Sequence, residues 1–118
     1  RLRLAPAYDV LPTNSGQGYQ EFICGTDGQA STLANAMSQC EAFGLAPAQA
    51  AAQVAQVIGV VNTWRAHFGA VGVSESDLDS LAERIDGDEL LSQRQTFDAN
   101  PYQGAPPKRK PQSPFRKM

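Results

Sequence analysis

Residues 47–68 read PAQAAAQVAQVIGVVNTWRAHF, and their apolar positions recur at the spacing of a helix. Ala50, Val54, Val57, Ile58, Val61, Trp64 and Phe68 fall on one stripe of a 3.6-residue period, broad enough to face a core. Pro47 suits the first helical position, where its missing N–H costs nothing and its φ is already set. Gly69 and Gly72 end the run. Gly59 lies inside it, at about 1 kcal/mol relative to alanine, so another helix is expected to approach closely there.

The segments on either side also carry helical periods. Upstream, Leu33, Ala36, Met37, Cys40 and Phe43 form a stripe that begins after Ser31 or Thr32, either of which can cap the free N–H groups, and that stops at Gly44. Downstream, Ser74 and Asp77 resemble a capping box, with Asp where Glu or Gln is usual. Leu78, Leu81, Ala82 and Ile85 make a third stripe. Asp86-Gly87-Asp88 interrupts it, and Glu89 to Phe97 has the makings of a short fourth helix. The expected core is Trp64, Phe68, Phe43, Leu33, Val57, Ile58, Val61, Leu78, Leu81 and Ile85.

The first thirty residues have a different texture. In RLRLAPAYDVLP (1–12), Leu2 and Leu4 alternate with Arg1 and Arg3, the period of a half-buried strand. Pro6 stops the ladder for want of an N–H. Residues 13–18, TNSGQG, are turn chemistry. Tyr19 to Cys24, YQEFIC, is aromatic and β-rich and predicts a second strand, closed by Gly25-Thr26-Asp27-Gly28. Cys24 and Cys40 are both expected to be reduced core residues, one in that strand and one on a helix. The fold class is therefore mostly α: short N-terminal strands and loops, then a three- to four-helix bundle.

Charge divides the chain at its end. Residues 1–98 hold all twelve acids and five of the ten bases, a net of −7, whereas Lys108, Arg109, Lys110, Arg116 and Lys117 give the remainder +5. Five of the eight prolines also lie beyond residue 99. That composition buries too little apolar surface to offset its ordering entropy, so residues 99–118 read as an extended or disordered basic tail on a 1–98 domain. No apolar run approaches the ~20 residues of a membrane span, and no membrane partner is expected. The absence of an initial methionine and of a signal pattern suggests a piece of a longer chain or a processed one, and a cytoplasmic protein.

Few residues carry candidate chemistry. Asp9 follows the first strand on a turn, where it can bond its own backbone or present a carboxylate to a metal-bound phosphate. His67, the one histidine, sits near the negative end of its helix, and no serine or cysteine with a nucleophile signature accompanies it. Asp86, Asp88 and Glu89 do not match a calcium loop, and we read them as helix caps. Gly25 and Gly28 lack the longer spacing and the Lys-Ser/Thr of a P-loop, and we read them as a connection. Lys108-Arg109-Lys110 could touch nucleic-acid phosphates weakly, with Phe115 as the one aromatic nearby to stack. Pro111 and Pro114 match a PxxP pattern.

Taken together, Leu4-Ala5-Pro6-Ala7-Tyr8-Asp9 and the helices after it resemble HipA-like serine/threonine kinases, the toxins of bacterial type II toxin–antitoxin pairs. Thr32-Leu33-Ala34-Asn35-Ala36, Ala42-Phe43-Gly44-Leu45 and Trp64-Arg65 are similar to the helical C-terminal lobe of that family. The resemblance spans residues 1–85 and is sharpest at Tyr8-Asp9. It implies that Asp9 takes the role of the protein-kinase DFG aspartate and holds the magnesium on ATP, so that Asp9 is both metal ligand and cofactor contact. It implies Mg and ATP as cofactors of the intact protein, phosphorylation of a protein serine, and an antitoxin with a helix-turn-helix DNA-binding domain as partner. The family's ATP lysine, phosphate loop, catalytic aspartate and second metal ligand precede this motif. No catalytic residue is therefore expected here, the rest of the kinase is an expected partner, and the chain alone is expected neither to hold Mg-ATP tightly nor to turn it over. The competing expectation is a non-catalytic helical interaction module that binds an antitoxin or another partner.

Overall fold

The computed structural model describes residues 3, 5–7 and 18–104. Asp9, most of the first expected strand, and residues 105–118 lie outside the described residues. Within them the chain is mostly helical, with five α-helices and two short 3-10 turns.

Helix α1 spans Leu33–Met37, and Thr32 caps it by accepting from the Asn35 N–H at 3.0 Å. It is shorter than the stripe predicted. Ser38 donates its hydroxyl to the Asn35 carbonyl at 2.6 Å, and Gln39 leaves helical geometry with φ −122° and ψ 27°. The chain resumes as a 3-10 turn over Cys40–Phe43, ended by Gly44 in the left-handed region at φ 78°. The tighter winding keeps Cys40 buried but turns Phe43 outward to 81 % exposure, so Phe43 is not a core residue.

Helix α2 runs Pro47–Val61 with Pro47 in its first turn, and the Gln49 side chain accepts from the Ala46 N–H at 3.0 Å. The single helix expected over 47–68 is in fact two. Asn62 and Thr63 form a turn, and α3 covers Trp64–Ala70. Both residues have side chains that compete for backbone hydrogen bonds and so favour turns over helix interiors. The Thr63 hydroxyl does this, donating to the Val60 carbonyl at 2.7 Å. Val57, expected in the core, is 60 % exposed. Gly59 has no heavy atom within 4 Å of where a Cβ would stand, so no helix among the described residues crosses it and the close packing expected there is absent.

Helix α4, Glu75–Ile85, begins at Ser74, which accepts from the Asp77 N–H at 3.2 Å and donates to the Asp77 carboxylate at 2.8 Å. Helix α5, Asp88–Thr96, starts after Gly87 and carries Asp88 and Glu89 in its first turn, where carboxylates face the positive end of the helix dipole. A 3-10 turn at Asn100–Tyr102 comes next.

Two packing centres result. Met37, Cys40, Ala50 and Ala51 are buried together, with Leu45, Val54, Phe97, Ala99 and Tyr102 packed around them. The second centre lies between α3 and α4. There Trp64 is 7 % exposed and Leu78 2 %, and the Trp64 and Phe68 rings meet edge to face at 6.0 Å. Tyr102 lies within the segment expected to be extended, yet it stacks on Phe97 with centroids 6.3 Å apart. The ordered body therefore runs past residue 98.

The second expected strand does not form. Residues 18–31 make two isolated antiparallel bridges, Tyr19 with Ala30 and Gly25 with Gly28, and no ladder among the described residues. Phe22 and Ile23 are 82 % and 78 % exposed, and no sheet or helix among the described residues covers them. Cys24 is exposed, contrary to the core position expected for it, whereas Cys40 is buried; both thiols are free. Among the described residues, no helix is long and apolar enough to cross a membrane.

Candidate functional site

Among the described residues, those singled out by sequence do not converge. Asp9 and the basic run Lys108-Arg109-Lys110 lie outside the described residues. His67 is exposed on α3, with its ring 5.9 Å from that of Phe68. No group of three or more His, Cys, Asp or Glu that could hold a metal ion occurs among the described residues.

The Gly25–Gly28 loop is a connection, and its hydrogen bonds show why. Gly25 and Gly28 exchange backbone bonds at 3.4 and 3.1 Å. The Thr26 N–H goes to the Ser38 hydroxyl at 3.0 Å and the Asp27 N–H to Asn35 Oδ1 at 2.9 Å. All four loop N–H groups are thus occupied, and none points outward as a phosphate-cradling nest requires. Asn35 holds this loop from within the fold. It is 2 % exposed, and its Nδ2 donates to the carbonyls of Gly28 and Ala30 at 3.0 and 2.9 Å. Gly25 is required here, because a Cβ on it would collide with the Asn35 carbonyl and the Ser38 hydroxyl.

Asp86 does more than end a helix. Its carboxylate accepts from Trp64 Nε1 at 3.0 Å and forms an ion pair with Arg94 of α5. Arg94 also donates to the Ile85 carbonyl at 2.6 Å and to Asn62 Oδ1 at 3.0 Å. One guanidinium therefore ties the α2–α3 turn, the end of α4 and the body of α5. A charged cluster at this depth is a structural knot with its donors and acceptors matched. Arg65, by contrast, meets Glu75 and Asp79 at the surface, at 3.0 and 2.7 Å. The bond to Asp79, and then that to Glu75, raises its pKa.

An open groove of about 380 Å³ lies between the start of α1, α5 and the Asn100–Tyr102 turn. Its walls include Thr32, Leu33, Phe97 and Tyr102, and Glu89 and Asp98 line it, with no base among the described lining residues. Gln93 braces it, accepting from the Leu33 N–H at 2.9 Å and donating to the Ser31 carbonyl at 3.3 Å. Sequence reading missed this groove because it joins segments about sixty residues apart, as the Leu33–Gln93 bond does. Asn35 did carry a signal: an amide in the interior of an apolar stripe is disfavoured unless something pairs with it. Comparison with protein-family models, with curated proteins and with solved structures finds no match to the chain.

Proposed function

We propose that the chain is part of a HipA-like serine/threonine kinase toxin, a C-lobe segment that supplies Asp9 to magnesium-bound ATP. The observation that carries this reading is the sequence Leu4-Ala5-Pro6-Ala7-Tyr8-Asp9 set directly before a mostly helical body. A carboxylate suits hard magnesium, and phosphoryl transfer depends largely on positioning and charge neutralisation around the metal. The remaining ATP contacts and the catalytic base come from the part of the kinase that precedes Arg1, in a cytoplasmic protein partnered by a helix-turn-helix antitoxin. The test joins the chain to whatever its reading frame encodes upstream. Phosphate transfer from Mg-ATP to a protein serine should appear in that protein and vanish in Asp9→Asn. Magnesium-dependent ATP turnover by the 118-residue chain alone, abolished in Asp9→Ala, would contradict the shared-site reading.

A second reading is a non-catalytic helical interaction module. It is favoured by the apolar side chains left uncovered, with Phe22, Ile23 and Phe43 each more than three-quarters exposed. If the upstream frame encodes no nucleotide-binding lobe, this reading replaces the first. Weak nucleic-acid contact through the basic tail belongs to it, and such contact should fall steeply as salt rises.

A further inference from the structure

We propose that α5 is a releasable strap across a hinge: it melts while both packing centres stay folded, and its release lets one centre turn against the other about Asn62-Thr63. None of the nine residues of Asp88–Thr96 is buried, and Leu90 is 44 % exposed. Most helices in proteins owe their stability to a packed apolar face, and a helix shorter than about twelve residues is marginal in water without one. Helix α5 is fastened instead by the polar side chains of two consecutive residues.

Those two residues reach in different directions, because neighbours on a helix stand about 100° apart. Gln93 meets the start of α1, accepting from the Leu33 N–H at 2.9 Å and donating to the Ser31 carbonyl at 3.3 Å. Arg94 meets the other side, donating to the Ile85 carbonyl at 2.6 Å and to Asn62 Oδ1 at 3.0 Å and pairing with Asp86. Helix α1 packs on α2, and α3 on α4. The strap therefore joins the α1–α2 centre to the α3–α4 centre. Arg94 also grips Asn62, in the turn where the chain passes from one centre to the other, and a short turn between packed elements is where a hinge absorbs its rotation.

The two ends of the strap are anchored independently of it. Asp86 accepts from Trp64 Nε1 at 3.0 Å, and Phe97 packs with Tyr102 against the cluster of Met37, Cys40, Ala50 and Ala51. Release of Gln93 and Arg94 thus melts a segment held between two fixed points. Segments with few buried apolar contacts supply the low-energy openings of a fold.

Native-state hydrogen exchange of the full chain in sub-denaturing urea tests the strap. The helical amides of α5 and that of Phe97, which bonds the Gln93 carbonyl, should open together and at lower urea than those of α2 and α4. The Leu33 amide should open with them, because its acceptor is the Gln93 side chain. Arg94→Met should speed exchange of this group about tenfold or more, the weight of one hydrogen bond to a charged group. For the hinge, residual dipolar couplings of α2 and α4 should fit one alignment tensor in the wild type and require two in Gln93→Ala, Arg94→Met. The proposal fails if the wild-type α5 amides exchange only together with those of α2 and α4, or if Leu33 exchanges apart from α5. It also fails if one tensor still describes the double variant, or if that variant unfolds as a whole, which would make α5 part of a single core.

Discussion

Trp64 Nε1 donates to the Asp86 carboxylate at 3.0 Å, so the largest side chain of α3 is fastened to the residue that ends α4. The same carboxylate pairs with Arg94 of α5. Three helices thus share one acceptor, and the buried indole has its polar atom matched as burial requires.

The indole's packing and its hydrogen bond can be separated. Trp64→Phe keeps most of the apolar contact but leaves Asp86 one donor short, and should cost about 1–3 kcal/mol. Trp64→Ala also opens a cavity where the buried indole stood and should cost about 3–5 kcal/mol. Urea denaturation reads both. Equal losses would mean that the hydrogen bond, and not the ring, holds α3 to α4.

Arg94 has only 10 % of its side chain exposed, whereas Asp86 keeps 33 %. Removing the acid leaves a nearly buried charge with weakened compensation. Asp86→Ala is expected to destabilise by roughly 2–4 kcal/mol, toward the low side of the range for a broken buried pair because Asp86 still meets water. The double variant Asp86→Ala, Arg94→Met should recover part of that loss. Strict additivity of the two single changes would show that the pair is not coupled.

The glycine loop should fail at two separate points. Asn35→Ala strips the partner from the Ala30 carbonyl and from the Asp27 N–H, at about 1–3 kcal/mol for each group that stays buried, whereas the Gly28 carbonyl keeps the Cys24 N–H at 2.8 Å. Gly25→Ala forces a methyl against the Asn35 carbonyl and is expected to cost about 3 kcal/mol or more. Hydrogen exchange at Thr26 and Asp27 should accelerate in both variants while α4 stays protected. Unchanged exchange at these amides would separate Asn35 from the loop.

Gly59 offers the opposite sign. It sits within α2 with open space around it. Gly59→Ala should stabilise the chain by about 0.5–1 kcal/mol through reduced unfolded-state entropy. A loss of stability would reveal a neighbour at this position.

Most of the local structure could be read from the residues themselves. Thr32, Pro47 and Ser74 mark helix starts, Gly44 marks an end, and Asp88-Glu89 opens α5, because capping bonds form within three or four residues and need no distant partner. The breaks at Gln39 and at Asn62-Thr63 were less legible. Each residue there tolerates a helix, and the turn prevails because Ser38 and Thr63 hydroxyls bond nearby carbonyls while Arg94 holds Asn62 from thirty-two residues away.

By itself the sequence determined a mostly helical chain, the sites of its caps, the burial of Trp64 and Leu78, and the separation of acidic body from basic end. Only the tertiary structure decided which apolar residues were covered. Val57, Phe43 and Cys24 sit in patterns as apolar as those of Ala50 or Cys40, yet burial depends on which neighbour arrives, and none among the described residues covers them. It also decided the roles of Asp86, Asn35 and Tyr102. Their partners lie in other elements, and a one-dimensional period records which face a residue occupies but not what that face meets.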